Sequence, residues 1–534
     1  MIAAVSDRIG KYAPLTFFVC FFILGLLCYR DYGVTWDEFQ QRATGGVSLK
    51  YVAERVAPSL LPPSASSIAP LISYKDRDYG VAFELPAAAL ETLLRFSDEK
   101  DVYLFRHLLN FLVAFAGTYA LYLMGRRRFS DWRMGIFAAL LLVLSPRLFA
   151  ESFYNSKDIV FMAAFCIATN TMVSYVLKPN LRTALVHAFA TAIAIDVRLM
   201  AIIIPFATLS ILSVRLLKRE VSPSQVVKSS MLYVIGGLTL IVVMWPWLWA
   251  DPLGNIAQAF SNMAQFRWNG DVLYFGKFIR GTELPWHYIP VWISITTPIP
   301  YIALFLIGAS VALFRLASCG TRLWQSDEEL QDLVYLGLFF APIAAVIVLH
   351  SVLYHGWRHL FFIYPAFLMI AIRGWAWLWN NDSFPLVRRP LLVGTTAGTI
   401  AFVSFWMWQA HPFQNVYFNI AAGRDHKDQF DVDYFGMANR KALEYILAQD
   451  QSEKIEVTAD SFTLVFAAFK MIDMPDRNRL RIAEDRTRPH YIFNNYYLQK
   501  NRDDSKYDRD YDLFYQVSVD GEAILSIFKS KAQQ

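Results

Sequence analysis

The chain has 534 residues, 55% hydrophobic and only 18% charged, with a mean hydropathy of +0.32 and a formal charge of +5. Such a composition excludes an ordinary soluble multidomain protein, and so small a charge on so long a chain gives no electrostatic footprint for nucleic acid. The four cysteines, Cys20, Cys28, Cys166 and Cys319, fall in apolar stretches or in a basic loop, which leaves no disulfide framework and no CxxC metal motif.

The apolar residues come in blocks, and a helix needs about 20 of them to cross roughly 30 Å of hydrocarbon. Helices satisfy their own backbone polar groups in lipid, so each block is predicted to be helical. Hydropathy places about eleven crossings, near 14–30, 102–125, 134–150, 158–177, 183–196, 199–214, 230–249, 287–314, 333–353, 359–373 and 390–409. The fifth and sixth are short enough to be half-penetrating helices. Arg8 and Lys11 before the first block resemble the basic flank of a signal peptide, but no small-residue cleavage site follows, so a retained first helix is expected.

Basic residues occupy alternate short loops: Arg126, Arg127, Arg128 and Arg133, then Lys178 and Arg182, then Arg215, Lys218 and Arg219, then Arg315 and Arg322, then Arg388 and Arg389. The positive-inside rule makes these cytoplasmic. The far side then receives 31–101, the turns at 151–158 and 196–198, the 250–286 loop, 355–358 and everything after 410. Within 31–101, Pro58, Pro62 and Pro63 mark an irregular stretch, while Tyr79 to Leu94 has helical spacing and is predicted to lie along the interface, as is Ile256 to Trp268.

Beyond residue 410 charges become frequent and apolar runs shorten, which predicts a soluble α/β domain over 411–534 after a membrane domain over 1–410. Helices are expected at 438–448 and 462–471, strands at 454–458, 480–483 and 490–493, and a hairpin at 513–519 and 523–529. Asp520-Gly521 supplies the positive φ that a tight hairpin turn requires.

One stretch carries chemistry at first sight. Tyr32-Gly33-Val34-Thr35-Trp36-Asp37-Glu38 sets two carboxylates just beyond the first span, and Glu151, Asp158 and Asp196 lie near other helix ends on the same side. Lys157, Arg198, His355, Arg358 and His359 join them there. A carboxylate within reach of a hydroxyl is a general base, and arginine's planar fork stabilises a departing phosphate. A divalent metal, Mg or Mn, held by Asp37 and Glu38 is compatible with the pair but not specified by it. On spacing alone, Asp37 and Glu38 fit a solvated helix terminus better than a catalytic pair, and Arg198 and Arg358 fit snorkelling anchors better than phosphate ligands.

Four stretches in this order, 32–38, 148–162, 196–205 and 355–365, resemble the GT-C superfamily of integral-membrane glycosyltransferases, including protein O-mannosyltransferases and lipid A aminoarabinose transferases. His411 to Asn419 with Asp431 to Gly436 is similar to bacterial members that carry a soluble C-terminal domain. The resemblance implies an α-helical polytopic GT-C fold, a polyprenyl-phosphate-linked sugar donor, an external active site and inversion at the anomeric carbon. It also implies Asp37 as base on the acceptor, Glu38 as its orienting partner or a metal ligand, Asp158 as a second acid, and Arg198 and Arg358 on the donor phosphate, with His355 beside them. The chain departs from the family's late motif, in which Tyr commonly follows Arg, because His359 follows Arg358.

The expectation is therefore a multi-pass glycosyltransferase of a bacterial inner membrane, moving a hexosyl or pentosyl group to a glycan, lipid or protein acceptor on the periplasmic side. Two rivals remain at this stage. A transporter or flippase predicts ionisable residues near mid-span and an inverted repeat, neither of which stands out, and a non-catalytic assembly protein predicts that the acidic pair is dispensable.

Overall fold

Where proline does not interrupt them, the apolar blocks become long helices. The computed structural model describes residues 2–264, 268–381, 383–484, 489–499 and 502–533. Among these, eight helices are long and apolar enough to span a membrane: Glu99–Phe129, Asp158–Leu177, Leu199–Leu217, Pro223–Met244, Ile299–Arg322, Asp327–Val348, Arg358–Asn380 and Pro385–Gln409. A ninth candidate, Trp132–Val143 with Pro146–Tyr154, is bent by 74°. Tyr12–Cys28 and the 17-residue Leu181–Val197 account for the remaining predicted blocks.

Prolines explain most departures from the predicted spans. Pro146 cannot donate to the helical ladder and its ring crowds the preceding turn, so the block expected at 134–150 bends there. Ser145 at the bend bonds the Leu141 carbonyl at 2.8 Å and the Tyr364 hydroxyl at 2.9 Å. Pro298 likewise divides the block expected at 287–314 into Tyr288–Thr296 and Ile299–Cys319, and Pro246 ends Pro223–Met244 before the short turn Pro246–Trp249. Ile299–Cys319 and Arg358–Asn380 cross closely at two glycines. A Cβ on Gly308 would lie 1.9 Å from the Ile370 carbonyl oxygen, and one on Gly374 2.1 Å from that of Leu304.

The 31–101 segment is more ordered than its composition predicts. Trp36–Val56 is a helix, followed by short turns at Pro58–Leu60, Pro63–Ser67 and Leu71–Ser73, and the predicted interfacial helix begins only at Glu84, running to Leu94. Its buried charges hold it down: Arg106 Nη1 donates to Glu84 at 2.5 Å, Arg106 Nε to Glu91, and Arg42 Nε to Glu91 at 3.0 Å. In 250–286 the helix runs Pro252–Ala264; residues 265–267 of the predicted stretch lie outside the described residues. A hairpin of Asp271–Tyr274 and Lys277–Arg280 follows, its turn made by Phe275 and Gly276, both with positive φ.

The C-terminal region is a five-stranded mixed sheet. Its strands run in the order Leu480–Ile482, Ile455–Ala459, Tyr491–Asn494, Glu522–Ser530, Tyr511–Val519, with the first three parallel and the last two antiparallel. Asp520 and Gly521 adopt φ of 53° and 78°, as the Asp-Gly turn predicts. The helix expected at 462–471 is reduced to Val465–Phe469. One apolar cluster runs from Phe18, Phe111 and Phe153 in the bundle to Leu443, Ile455 and Phe493 around the sheet, so the sheet is packed onto the bundle rather than tethered to it.

The bundle's basic end is knit by charge as well. Arg128 forks onto Asp332 with two bonds of 2.7 Å and Arg373 adds a third at 3.2 Å. Lys218 donates to the Trp324 carbonyl at 2.8 Å.

Candidate active site

The acidic pair is built by a helix start that its own sequence encodes. Thr35 and Glu38 form a capping box: the Thr35 hydroxyl accepts from the Glu38 N–H, and Glu38 Oε2 accepts from the Thr35 N–H at 2.7 Å. Glu38 Oε1 meets His107 Nε2 at 2.9 Å. Both oxygens of Glu38 are thus committed to anchoring the helix, whereas Asp37 takes no part in the capping box.

Asp37 Oδ2 accepts from Arg358 Nη1 at 2.5 Å, and the same nitrogen donates to Asp158 Oδ2 at 3.0 Å. Asp158 Oδ1 in turn accepts from Arg198 Nη2. Residues separated by up to 321 positions therefore form one chain of alternating charge, Asp37, Arg358, Asp158, Arg198. Its middle is sealed, with Arg358 and Asp158 side chains 3% and 1% exposed, while Asp37 remains 21% exposed. Desolvated ions are tolerated where each has partners, and here Asp37 alone among the carboxylates also reaches solvent.

Asn155 organises the cluster from below. Its Oδ1 accepts from the Asp158 N–H at 2.7 Å, and its Nδ2 donates to Asp158 Oδ2 at 3.1 Å and to Glu151 Oε2 at 2.7 Å. Glu151 Oε1 accepts from the Tyr434 hydroxyl at 3.2 Å, so the C-terminal region contributes directly to the wall. The bend at Pro146 carries this wall into place. Beside it, the Lys157 ammonium sits 3.7 Å from the centroid of the Tyr79 ring, and the residue lines a small open cleft with Gln41, Phe83, Glu84 and Ser156. Burial, and next to it the Arg198 guanidinium, pull the Lys157 amine down to about 8, against the opposing effect of Asp37 and Asp158.

Of the residues singled out in the sequence, Asp37, Asp158, Arg198 and Arg358 are brought together. Glu38, Asp196 and His355 are held elsewhere. Glu38 caps its helix. Asp196 accepts from the Ala82 N–H at 2.7 Å and fixes the 79–84 loop, where a Cβ on Gly80 would fall 1.5 Å from the Asp196 carbonyl oxygen. His355 bonds the Tyr497 hydroxyl at 2.8 Å and stacks on Tyr434 at 4.7 Å. Burial, then Arg358, hold its imidazole well below the usual range, so the ring is neutral and offers a phosphate no charge.

Several contributors were silent in the sequence. Tyr434 and Tyr497 carry no spacing signal, and the helical spacing that begins at Tyr79 points to the interface rather than to the site, since all three meet it only through tertiary packing. Arg147, stacked 4.6 Å from the Phe418 ring and donating to the Tyr417 carbonyl at 2.9 Å, lies inside an apolar block. Only Asn155, three residues before Asp158, had a readable pattern, that of a side chain satisfying a helix N-terminus.

Neither candidate metal position presents a ready ligand set. At Asp37 and Glu38, a cation would find one uncommitted Asp37 oxygen, so no step below passes through a metal. Cys28, Asp31 and His411 have donor atoms within 4.8 Å of one another. However, Gln414, oriented by the Tyr32 hydroxyl and the Met407 carbonyl, directs its amide N–H at His411 Nδ1 (3.0 Å). This assigns the imidazole proton to Nε2, where it faces Asp31 at 2.9 Å as a hydrogen bond.

Residues 88–249, which include Asn155, Asp158 and Arg198, match the model of the dolichyl-phosphate-mannose-protein mannosyltransferase family. This bears out the resemblance to GT-C membrane glycosyltransferases. A comparison with curated proteins found no match. Among solved structures, the chain is similar to ArnT from Cupriavidus metallidurans bound to undecaprenyl phosphate, at 12% identity and a TM-score of 0.49, covering 97% of this chain and 98% of that one. It is also similar to the Archaeoglobus fulgidus oligosaccharyltransferase in the apo form, at 11% identity and a TM-score of 0.45, covering 90% of this chain. The chain spans 65% of that protein's length. A third similar structure is the archaeal oligosaccharyltransferase AglB from the same organism, in complex with an inhibitory peptide and a dolichol-phosphate, at 12% identity and a TM-score of 0.45, covering 98% of this chain and 75% of that one.

Proposed function

We propose that this protein is an inverting glycosyltransferase that moves a sugar from a polyprenyl-phosphate-linked donor to an acceptor on the periplasmic side of a bacterial inner membrane. The observation that carries the reading is the bridge of Arg358 between Asp37 and Asp158, which sets a partly exposed carboxylate beside buried guanidinium groups. The family match over 88–249 supports a lipid-phosphate sugar as donor.

In this mechanism Asp37 takes the proton of an acceptor hydroxyl as that oxygen bonds to the anomeric carbon. The bond from that carbon to the phosphate oxygen breaks, and its electron pair leaves with the polyprenyl phosphate. Guanidinium charge at Arg358 and Arg198 meets the negative charge that develops there, in a site too dry for water to screen it. Asp158 holds the two arginines apart and in register. Attack from the face opposite the leaving group inverts the anomeric centre.

External placement is supported by the basic residues of the alternate loops, which gather at the other end of the bundle around Arg128, Asp332 and Lys218. Residues 411–534 then share the periplasmic side, since Tyr434 and Tyr497 bond Glu151 and His355 at the site. The direct test is to incubate the purified protein with a polyprenyl phosphate carrying a labelled sugar and a lysate-derived envelope fraction as acceptor. Transfer of label with release of polyprenyl phosphate is the expected result. Donor left intact across a panel of hexose and pentose donors would overturn the reading.

A further inference from the structure

We infer that Lys157 is the residue that grips the phosphate of the lipid-linked donor, an inference that rests on the glycosyltransferase reading and narrows its phosphate clamp to one cation. The family resemblance assigns that clamp to Arg198 and Arg358, with His355 beside them. In the folded protein the charge of both guanidinium groups is already offset by carboxylates, Arg358 Nη1 donating to Asp37 and Asp158 and Arg198 Nη2 to Asp158, although the Nε of each has no partner among the described residues. A phosphate arriving at either would meet a cation whose charge an aspartate already offsets.

Lys157 is held differently. Among the described residues no carboxylate pairs with its ammonium, which rests on the face of Tyr79 at 3.7 Å from the ring centroid. An aromatic face attracts a cation through its quadrupole but does not neutralise it, so the full charge stays available to an anion. The lysine's backbone is fixed as well, its N–H donating to Asn155 Oδ1 at 3.3 Å, in the same turn that positions Asp158. The ammonium lines the cleft between the 79–84 loop and the Trp36–Val56 helix, next to the sealed cluster. Glu84, the carboxylate in that lining, is tied to Arg106 at 2.5 Å. The cleft therefore offers one unpaired point charge at the end of the Asp37, Arg358, Asp158, Arg198 chain, and a lysine ammonium serves a phosphate as such a point charge.

The division of labour that follows is specific: Lys157 binds the donor phosphate in the ground state, and Arg198 and Arg358 act as charge develops. The test uses the full-length protein in nanodiscs and measures the affinity of a short-chain polyprenyl phosphate against that of the matching polyprenol. Wild type should prefer the phosphate by about tenfold or more, the scale of a charge-assisted hydrogen bond. Lys157→Met should bring that ratio close to one while leaving polyprenol affinity unchanged, and Lys157→Arg should keep most of it. Tyr79→Leu should lower the ratio several-fold and Tyr79→Phe should not.

The ways to fail are separable. Wild type that binds both lipids equally would sink the lipid-phosphate reading and this inference together. Full discrimination in folded Lys157→Met would overturn the inference alone and return the phosphate to the arginines. Loss of polyprenol binding in Lys157→Met and Lys157→Arg alike would mark a structural lysine. Inorganic phosphate is the second probe: if it displaces the lipid at equal concentration, the site is one for free phosphate and the inference is wrong.

Discussion

The two ends of the bundle use the same ionic grammar to different ends. At the basic end Asp332 is bonded by Arg128 and Arg373; at the other, Asp158 is bonded by Arg198 and Arg358. Each is a buried aspartate between two arginines, drawn from helices far apart in sequence. The Asp332 cluster closes on itself, joining Glu99–Phe129, Asp327–Val348 and Arg358–Asn380. The Asp158 cluster continues outward through Arg358 to the partly exposed Asp37, and beside it stands a lysine that has an aromatic ring for a partner. Solvent reach alone does not separate the two, since Arg373 is 18% exposed and Asp37 21%; the candidate site differs in ending on a carboxylate, beside a lysine that no carboxylate among the described residues pairs.

Neutralising each aspartate should break this comparison cleanly. Asp158→Asn is expected to lower transfer by about 100-fold or more, the scale of losing a preorganised electrostatic element, with the melting temperature less affected because Asp37 still holds Arg358. Asp332→Asn strands two arginines, so it should cost stability on the order of 3–5 kcal/mol while the folded fraction transfers sugar at close to the wild-type rate. Transfer assays and melting curves on both variants decide this. Equal effects of the two changes on transfer would show that the ends are not functionally different.

A smaller effect is expected in the C-terminal wall. Burial raises the Asp431 carboxyl to about 8 and that of Asp433 to about 6, from an ordinary 3.8. The folded state therefore binds a proton that the unfolded chain has lost, and stability falls as pH rises from near 4 through those folded values. Asp431→Asn removes that titration, so melting measured between pH 5 and 8 should decline less steeply in the variant than in wild type. A parallel decline would mean that Asp431 is not the buried acid described.

Much of this was legible in the chain, for reasons that differ by region. Hydropathy gave the helical blocks because a membrane demands about 20 apolar residues whatever their neighbours, and Asp520-Gly521 gave its hairpin because φ > 0 is a local demand. Prolines at 146 and 298 carried the bend and the break, yet weighting hydropathy over proline merged those helices. Thr35-x-x-Glu38 was a readable capping box whose significance was missed, and with it the commitment of Glu38 to structure. Asp37, Asp158, Arg198 and Arg358 could be nominated because their loops share one side of the membrane. That Arg358 would bridge two aspartates while His355 turned toward Tyr497 could not be read, because tertiary packing decides between neighbours three residues apart.

The central claim is that Asp37 is the open end of this network and removes the acceptor's proton. Asp37→Asn keeps the side chain's size and leaves Arg358 bonded to Asp158, so fold and donor binding should survive. Single-turnover transfer from a labelled polyprenyl-phosphate sugar, measured on the purified variant at saturating donor, tests the claim most directly. A fall of about 100-fold or more with donor affinity within a few-fold of wild type is the predicted result, and turnover at the wild-type rate would contradict it.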